Sequence, residues 1–290
     1  MGRPPIVVEL RGRLGNQLFQ FAAGTALARR HDADLFFDDA RLNRGDLRLH
    51  ELVGEQFRRP DDAILLRLGH RDPRRERRAT RYLRSWEAQG RARVTRRAVQ
   101  LHEHTPHRHD PAVVAAAPPY LLRGYLQSER YFADIADEVA AAIRLPGTPP
   151  PGPGPTVAVS YRRGDYVGQP YLLPPAYQER ALERLCREVQ PGTILVFGDD
   201  QEFAELVVPR LERFGPVRAS TTRDPVSALA EMAACDHFVV PNSSFAWWAA
   251  WLGERRPEPE RHVVLAPEGW MTRGHPEDTI PDRWEQVGWE

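Results

Sequence analysis

One decapeptide constrains this chain more than anything else in it. Residues 146–155 read PGTPPPGPGP, with six prolines and three glycines. Proline fixes φ and lacks a backbone N–H, while glycine loses the most chain entropy on ordering. Such a run can be neither a helix nor a central strand, and it predicts a semi-rigid extended linker. It falls near the midpoint of 290 residues, a length that itself suggests about two domains. The expected organisation is an N-terminal domain over 1–145, a linker over 146–155 and a C-terminal domain over 156–290.

Beyond the linker the pattern is regular. Apolar runs at Val157 to Tyr161, Thr193 to Phe197, Val217 to Ala219, His237 to Val240 and Val263 to Ala266 read as strands. Between them, helices are expected over Pro175 to Val189, Gln201 to Arg213, from Asp224 with Pro225 in its first turn, and over Ser244 to Leu252. The first half opens alike: strand Ile6 to Leu10, helix Asn16 to Arg30 with Leu18, Phe21, Ala22 and Ala26 on one face, then strand Leu35 to Phe37. Strands alternating with helices at this spacing predict α/β domains built on parallel, doubly wound sheets, and two such halves predict a cleft.

Composition removes several reaction classes. The 40 basic and 40 acidic residues cancel, so no global polycation exists to grip nucleic acid. Every basic residue is arginine; without lysine there is no Schiff-base amine and no P-loop cation. Cys186 and Cys235 form neither a CxxC pair nor a disulfide framework, which fits a reducing compartment. Glu9 and Arg11 crowd the apolar run Ile6 to Val8 too closely for an export signal, and the longest apolar stretch, Phe245 to Leu252, falls far short of the roughly 20 residues that span a bilayer. A soluble, cytoplasmic protein is expected.

The stretch Arg71 to Arg97 carries eleven arginines against three acids, a local charge of +8. It reads first as a solvated face, with anionic lipid or nucleic-acid contact as the alternative. His102, His104, His107 and His109 follow in a loop without a helix to fix their spacing, and no metal site is expected there.

The chemistry-bearing residues gather at predicted strand ends, where open parallel sheets bind ligands. The strand from Val157 runs through Ser160 into Arg162-Arg163-Gly164-Asp165, and two guanidiniums there suit a diphosphate. The next strand ends in Gly198-Asp199-Asp200, with one carboxylate for ribose or base and Asp200 as a helix cap. A third ends in Asn242-Ser243-Ser244-Phe245, whose free N–H groups open a helix and offer an anion site. Trp247, Trp248 and Trp251 behind it read as core. In the first half, Gly12, Gly15 and Asn16 join the first strand to its helix without the G-x-G-x-x-G spacing of a dinucleotide site. Asp32-Ala33-Asp34 precedes its strand and is discounted as a metal clamp.

Together these segments resemble glycosyltransferase family 11, the α-1,2-fucosyltransferases. The residues that carry the resemblance are the run from Gly12 to Gln20, Arg162 to Tyr166, Phe197 to Asp200 and Asn242 to Trp248. Gly124 to Phe132 and Ile280 to Trp284 add to it. The resemblance implies a GT-B architecture, two Rossmann-like doubly wound domains facing across a cleft. It implies GDP-β-L-fucose held by the C-terminal domain, a glycan acceptor on the N-terminal one, no metal requirement and no cofactor. Arg162 and Arg163 match the family's H-x-R-R-x-D motif, whose histidine is Ser160 here. Ser243, Ser244 and Phe245 would line the pyrophosphate, with Asn242 beside them. Asp199 or Asp200 would meet guanine or ribose, and Gly15 and Asn16 the donor sugar. Inversion needs a base to deprotonate a galactose 2-hydroxyl, and Asp165, Glu9 and His31 are the candidates. The acceptor can be lipid-linked, with peripheral membrane contact. Transfer from another GDP-sugar, and a non-catalytic role for residues 71–97 on nucleic acid or anionic lipid, are the competing readings.

Overall fold

The computed structural model describes residues 2–43, 45–69, 100–104, 107–259, 261–271 and 277–289. The arginine-rich stretch 71–97 lies outside the described residues. Two compact units divide the chain, Met1–Ile143 and Arg144–Glu290.

The first unit begins with β1 (Pro5–Glu9), α1 (Leu14–Arg30), β2 (Asp34–Asp38), α2 (Leu49–Val53) and α3 (Asp62–Arg67). It continues with β3 (Gln100–His102), α4 (Pro111–Ala115), β4 (Tyr120–Arg123) and α5 (Ala136–Ala142). Its described sheet is parallel, in the order β2-β1-β4-β3. Every residue of β1 is buried, as a strand covered on both faces requires. Helix α1 buries Leu18, Phe19, Phe21, Ala22, Ala23 and Ala26, and Gly24 brings its backbone close to Val8 and Leu35.

The second unit holds β5 (Thr156–Tyr161), α6 (Ala176–Leu185), β6 (Thr193–Gly198), α7 (Gln201–Leu211) and β7 (Val217–Ala219). After these come α8 (Pro225–Ala233), β8 (His237–Val239), α9 (Ser244–Gly253), β9 (Val264–Pro267) and β10 (Glu285–Val287). Its six strands are parallel in the order β10-β9-β8-β5-β6-β7. The chain winds outward from β5 to β7, then returns to lay β8 against the other side of β5. That order is the doubly wound Rossmann order, and its reversal point lies between β5 and β8.

Alternation along β5 sets the two layers. Val157, Val159 and Tyr161 face Leu182, Leu185, Val207 and Leu211 of α6 and α7. Ala158 and Ser160 therefore face the opposite way, as does Phe238, Ala158's partner on β8. Phe238 packs so tightly on α9 that a Cβ at Gly253 would come within 2.3 Å of its ring. Trp247, Trp248 and Trp251 are wholly buried on α9, which places them in the core as expected.

The proline-rich run departs from a simple tether. The Arg218 side chain donates to Pro151 O at 2.8 Å, Thr193 Oγ1 to Pro153 O at 3.1 Å and Gly192 N–H to Pro155 O at 2.8 Å. Residues 151–155 thus run as a fixed strap along the second unit, because proline carbonyls remain good acceptors although the chain cannot join the sheet. Among the described residues no helix is long and apolar enough to cross a membrane.

Candidate functional site

The carboxyl ends of β5 and β8, where the strand order reverses, collect most of the residues singled out in the sequence. Tyr161 is the last residue of β5, and the two arginines after it diverge. Arg163 follows Tyr161 toward α7, where its guanidinium stacks on Phe203 at 3.9 Å and its Nε lies 3.6 Å from Asp200. Arg162 takes the other direction, with its guanidinium 4.8 Å over the Tyr166 ring and its nitrogens on Asp199 and Asp165. Asp165 is in this arrangement Arg162's ion-pair partner.

Two acids after β6 divide their work. Asp199 Oδ1 accepts the Arg163 backbone N–H at 2.8 Å while its other oxygen holds Arg162. Asp200 Oδ1 caps α7 by accepting the Phe203 N–H at 3.0 Å. Gly164 makes room for this, since a Cβ there would lie 2.6 Å from Asp199 Oδ2. Chain alternation, one cap and one glycine thus turn Arg162 toward Asp199, Asp165 and Tyr166, and Arg163 toward the helix beside it.

From β8 comes the other wall. Asn242 is buried, donates from Nδ2 to Tyr171 O at 2.8 Å, and leaves Oδ1 without a hydrogen-bond partner. Tyr166 Oη donates to Asn242 O at 3.3 Å, so Arg162, Tyr166 and Asn242 form one contact chain across the two strand ends. Burial pushes the Tyr166 phenol up, keeping it a neutral donor. Ser243 caps α9 with a long bond, Oγ to the Ala246 N–H at 3.5 Å. Ser244 and Phe245 lie half-buried in its first turn. The first N–H groups of this ten-residue helix have no intrahelical acceptor and carry its positive end. Ser160 is buried one layer below, its carbonyl held by Gln178 Nε2 at 3.1 Å. Gln178 was not anticipated from the sequence, and Tyr166 entered only as the end of the Arg162 to Tyr166 motif, without a role.

In the first unit, Gln17 ties the loop before α2 to the start of α1, and Asn16 and Gln20 both tie the loop after β4 to it. Gln17 donates to Gly12 O and Asp46 O and accepts from the Arg48 and Leu49 N–H groups. Gln20 accepts from Arg11 N–H and donates to Gly124 O. Asn16 Oδ1 accepts from Gln127 Nε2 at 2.6 Å, and Gln127 Oε1 meets His107 Nδ1 at 2.7 Å. Gly12, at φ +71°, and Gly15 bracket the turn into this helix, and Asn16 lies so close to Gly12 that a Cβ there would collide with it.

The candidate bases separate in the structure. Glu9 is fully buried between Arg11, Arg41 and Arg123, at 2.6, 3.1 and 3.0 Å. Burial alone raises its carboxyl, but the Arg11 hydrogen bond and the three charges outweigh that and hold it below the usual range. A carboxylate so neutralised is a poor base. His31 closes the far end of α1 and meets Val114 O at 3.0 Å, at the opposite edge of the sheet from Asn16. The His104, His107 and His109 rings meet Asp110, Gln127 and Tyr131 respectively. Among the described residues no group of three or more His, Cys, Asp or Glu could hold a metal ion.

Comparison with known proteins agrees with this architecture. The family model described as glycosyl transferase family 11 matches residues 104–257, more than half of the chain. An Escherichia coli O-antigen biosynthesis glycosyltransferase, WbnK, is 29% identical over 136 residues, 44% of this chain and 43% of that protein. An Escherichia coli α-1,2-colitosyltransferase is 24% identical over 189 residues, 57% of this chain and 61% of that one. The chain thus matches less than two thirds of the length of either relative. A solved structure of an Arabidopsis thaliana FUT1 mutant in complex with GDP superposes with a TM-score of 0.54 at 12% identity, covering 91% of this chain and 70% of that one. This likeness bears on the fold, the two-domain Rossmann-like arrangement termed GT-B. With its motifs at the carboxyl edges of two parallel sheets and a family match that includes the strand ends of β5, β6 and β8, the chain belongs to glycosyl transferase family 11.

Proposed function

We propose that the chain is an inverting glycosyltransferase that moves L-fucose from GDP-β-L-fucose to the 2-hydroxyl of a galactose-type acceptor, with no divalent cation required. The observation that carries this reading is the contact chain from Arg162 through Tyr166 to Asn242, which leads from the end of β5 to the start of α9. A dianionic leaving group needs cationic charge and N–H donors where electrons accumulate, and a guanidinium beside a helix N-terminus supplies both. Arg162 takes the phosphate oxygens, and Ser243, Ser244 and the backbone around Phe245 take the rest. Arg163, stacked on Phe203, anchors the strand end. Asp199 and Asp165 hold Arg162 until the nucleotide competes for it. Asn242 Oδ1 offers an acceptor for a nucleotide N–H or hydroxyl. Ser160, where the motif has histidine, contributes a neutral hydroxyl in place of charge.

The chemistry is a single displacement. The acceptor oxygen attacks the anomeric carbon from the face opposite GDP, its hydroxyl proton passes to a base or to solvent, the bond to the β-phosphate oxygen breaks, and the electron pair leaves with GDP. No covalent enzyme intermediate is required. A relative named for O-antigen biosynthesis supports a surface glycan as acceptor. If that glycan is lipid-linked, the +8 stretch 71–97 fits peripheral contact with an anionic membrane.

A second reading keeps the site and changes the sugar, favoured by the relative named as a colitosyltransferase. A panel of GDP-fucose, GDP-mannose, UDP-galactose and dTDP-rhamnose, assayed in chelator, tests both. Selective turnover of GDP-fucose is expected. Turnover of another GDP-sugar supports the second reading, and a UDP- or dTDP-sugar preference or loss in chelator contradicts the proposal.

A further inference from the structure

Two carboxylates hold Arg162, and they are not equivalent. Arg162 donates from Nη1 to Asp199 Oδ2 and from Nη2 to Asp165 Oδ1. The first of these acids comes with the sheet. Tyr161 of β5 lies in register with Gly198 of β6, so the next residues, Arg162 and Asp199, emerge side by side. The Asp199 side chain is 20% exposed, and its other oxygen accepts the Arg163 backbone N–H at 2.8 Å. Gly164 packs against it where no Cβ would fit. Asp199 therefore has a second anchor and little contact with solvent.

Asp165 is placed the other way. It stands on a single 3-10 turn, Gly164–Tyr166, none of whose residues is buried. Its side chain is 64% exposed, and among the described residues its carboxylate bonds Arg162 alone. The turn is held without that carboxylate, by the Val167 N–H on Arg163 O at 3.1 Å and by Tyr166 Oη on Asn242 O at 3.3 Å. Asp165 can swing away from Arg162 at the cost of one exposed ion pair, a weak interaction that salt screens.

The guanidinium keeps its place when that happens. It lies 4.8 Å over the Tyr166 ring, which the Tyr171 ring supports edge-on at 4.7 Å, and Nη1 remains on Asp199. Nη2, under the exposed acid, is then the end of the fork that an anion from solvent can take. A phosphate carries more charge than a carboxylate and suits the same donors.

Resting on the reading of Arg162 as the cation that binds the leaving diphosphate, we propose that Asp165 is its displaceable counter-ion. An incoming phosphate takes Nη2 from Asp165 while Asp199 keeps Nη1, and Asp165 returns as the phosphate leaves. Asp165 thereby sets the affinity for the nucleotide and speeds its release, whereas Asp199 positions the guanidinium throughout.

The test titrates GDP, inorganic pyrophosphate and guanosine into the full chain in chelator. Asp165→Asn keeps the size of the side chain and removes its charge. GDP and pyrophosphate should bind this variant tighter by about threefold or more at low salt, with guanosine unchanged and the gain shrinking as salt rises. Asp165→Glu, which keeps the charge, should show no gain, and Asp199→Asn should bind both anions more weakly than wild type. In an Arg162→Ala background the gain from Asp165→Asn should disappear, because the competition needs the guanidinium. A gain below about threefold, equal tightening of guanosine, or the same gain without Arg162 overturns the proposal. Weaker binding by Asp165→Asn overturns it too, and makes Asp165 a support of Arg162 rather than its competitor. GDP binding that depends on Arg162 but ignores Asp165→Asn refutes this role and keeps the transferase reading. Tightened pyrophosphate binding in a chain that prefers a UDP-sugar keeps the role and refutes the donor assignment.

Discussion

Gln17 is fully buried, and its amide makes four bonds to backbone groups at 2.7 to 3.2 Å. A side chain that ties two separate loops to one helix start explains why an amide stands there in a position that periodicity alone would give to leucine. His237 is the counterpart in the second unit. Its Nδ1 accepts the Val263 N–H at 3.1 Å, which requires a lone pair and so a neutral ring. Burial lowers its pKa, with the Asp236 charge opposing. A histidine whose folded pKa lies below the unfolded value of about 6.5 contributes stability in full above that pH and loses it as pH falls below. Thermal unfolding at pH 7.5 and 5.5 should therefore show a drop for wild type that is smaller in His237→Asn, whose Oδ1 can still accept from Val263. An equal drop in both would assign the loss elsewhere.

Caps show how elements are tuned to the site. Asp200 holds the Phe203 N–H at 3.0 Å, whereas Ser243 reaches the Ala246 N–H only at 3.5 Å. Asp200→Ala should lower stability by about 1 kcal/mol. Ser243→Ala should cost less than half of that and instead raise the KM for the GDP-sugar, because its hydroxyl is free to serve the phosphate; denaturant unfolding and donor kinetics check the pair. Most elements of the second unit were legible because β5, β6, β8 and β9 are short apolar runs and α6 and α7 are amphipathic, with errors of at most four residues at the ends. The helix over Pro175 to Val189 closes at Leu185 and that over Gln201 to Arg213 at Leu211, a single 3-10 turn following the latter. The edge strand β10, with Glu285, Gln286 and Val287, has no apolar run and was missed. So were β3, only three residues long, and the short helices α2 to α5, whose residues take their shape from tertiary contacts rather than from periodicity.

Each unit presents a parallel sheet with its polar residues at the carboxyl edge, and the strand order of the second unit puts its reversal point between β5 and β8. Sequence could name Arg162, Arg163, Asp199, Asp200, Asn242 and Ser243 because each follows an apolar run. It could not show that Asp199 occupies Arg162, because that pairing depends on β6 becoming the neighbour of β5. Under the proposed function, Arg162 and the α9 N-terminus bind the diphosphate in place of a metal. Titrating GDP into the full chain by calorimetry, with chelator and again with magnesium, tests it most directly. The same Kd is expected in both, and at least a tenfold weaker one for Arg162→Ala, whose thermal unfolding stays within a few degrees of wild type. Binding that requires magnesium, or that survives Arg162→Ala unchanged, would contradict it.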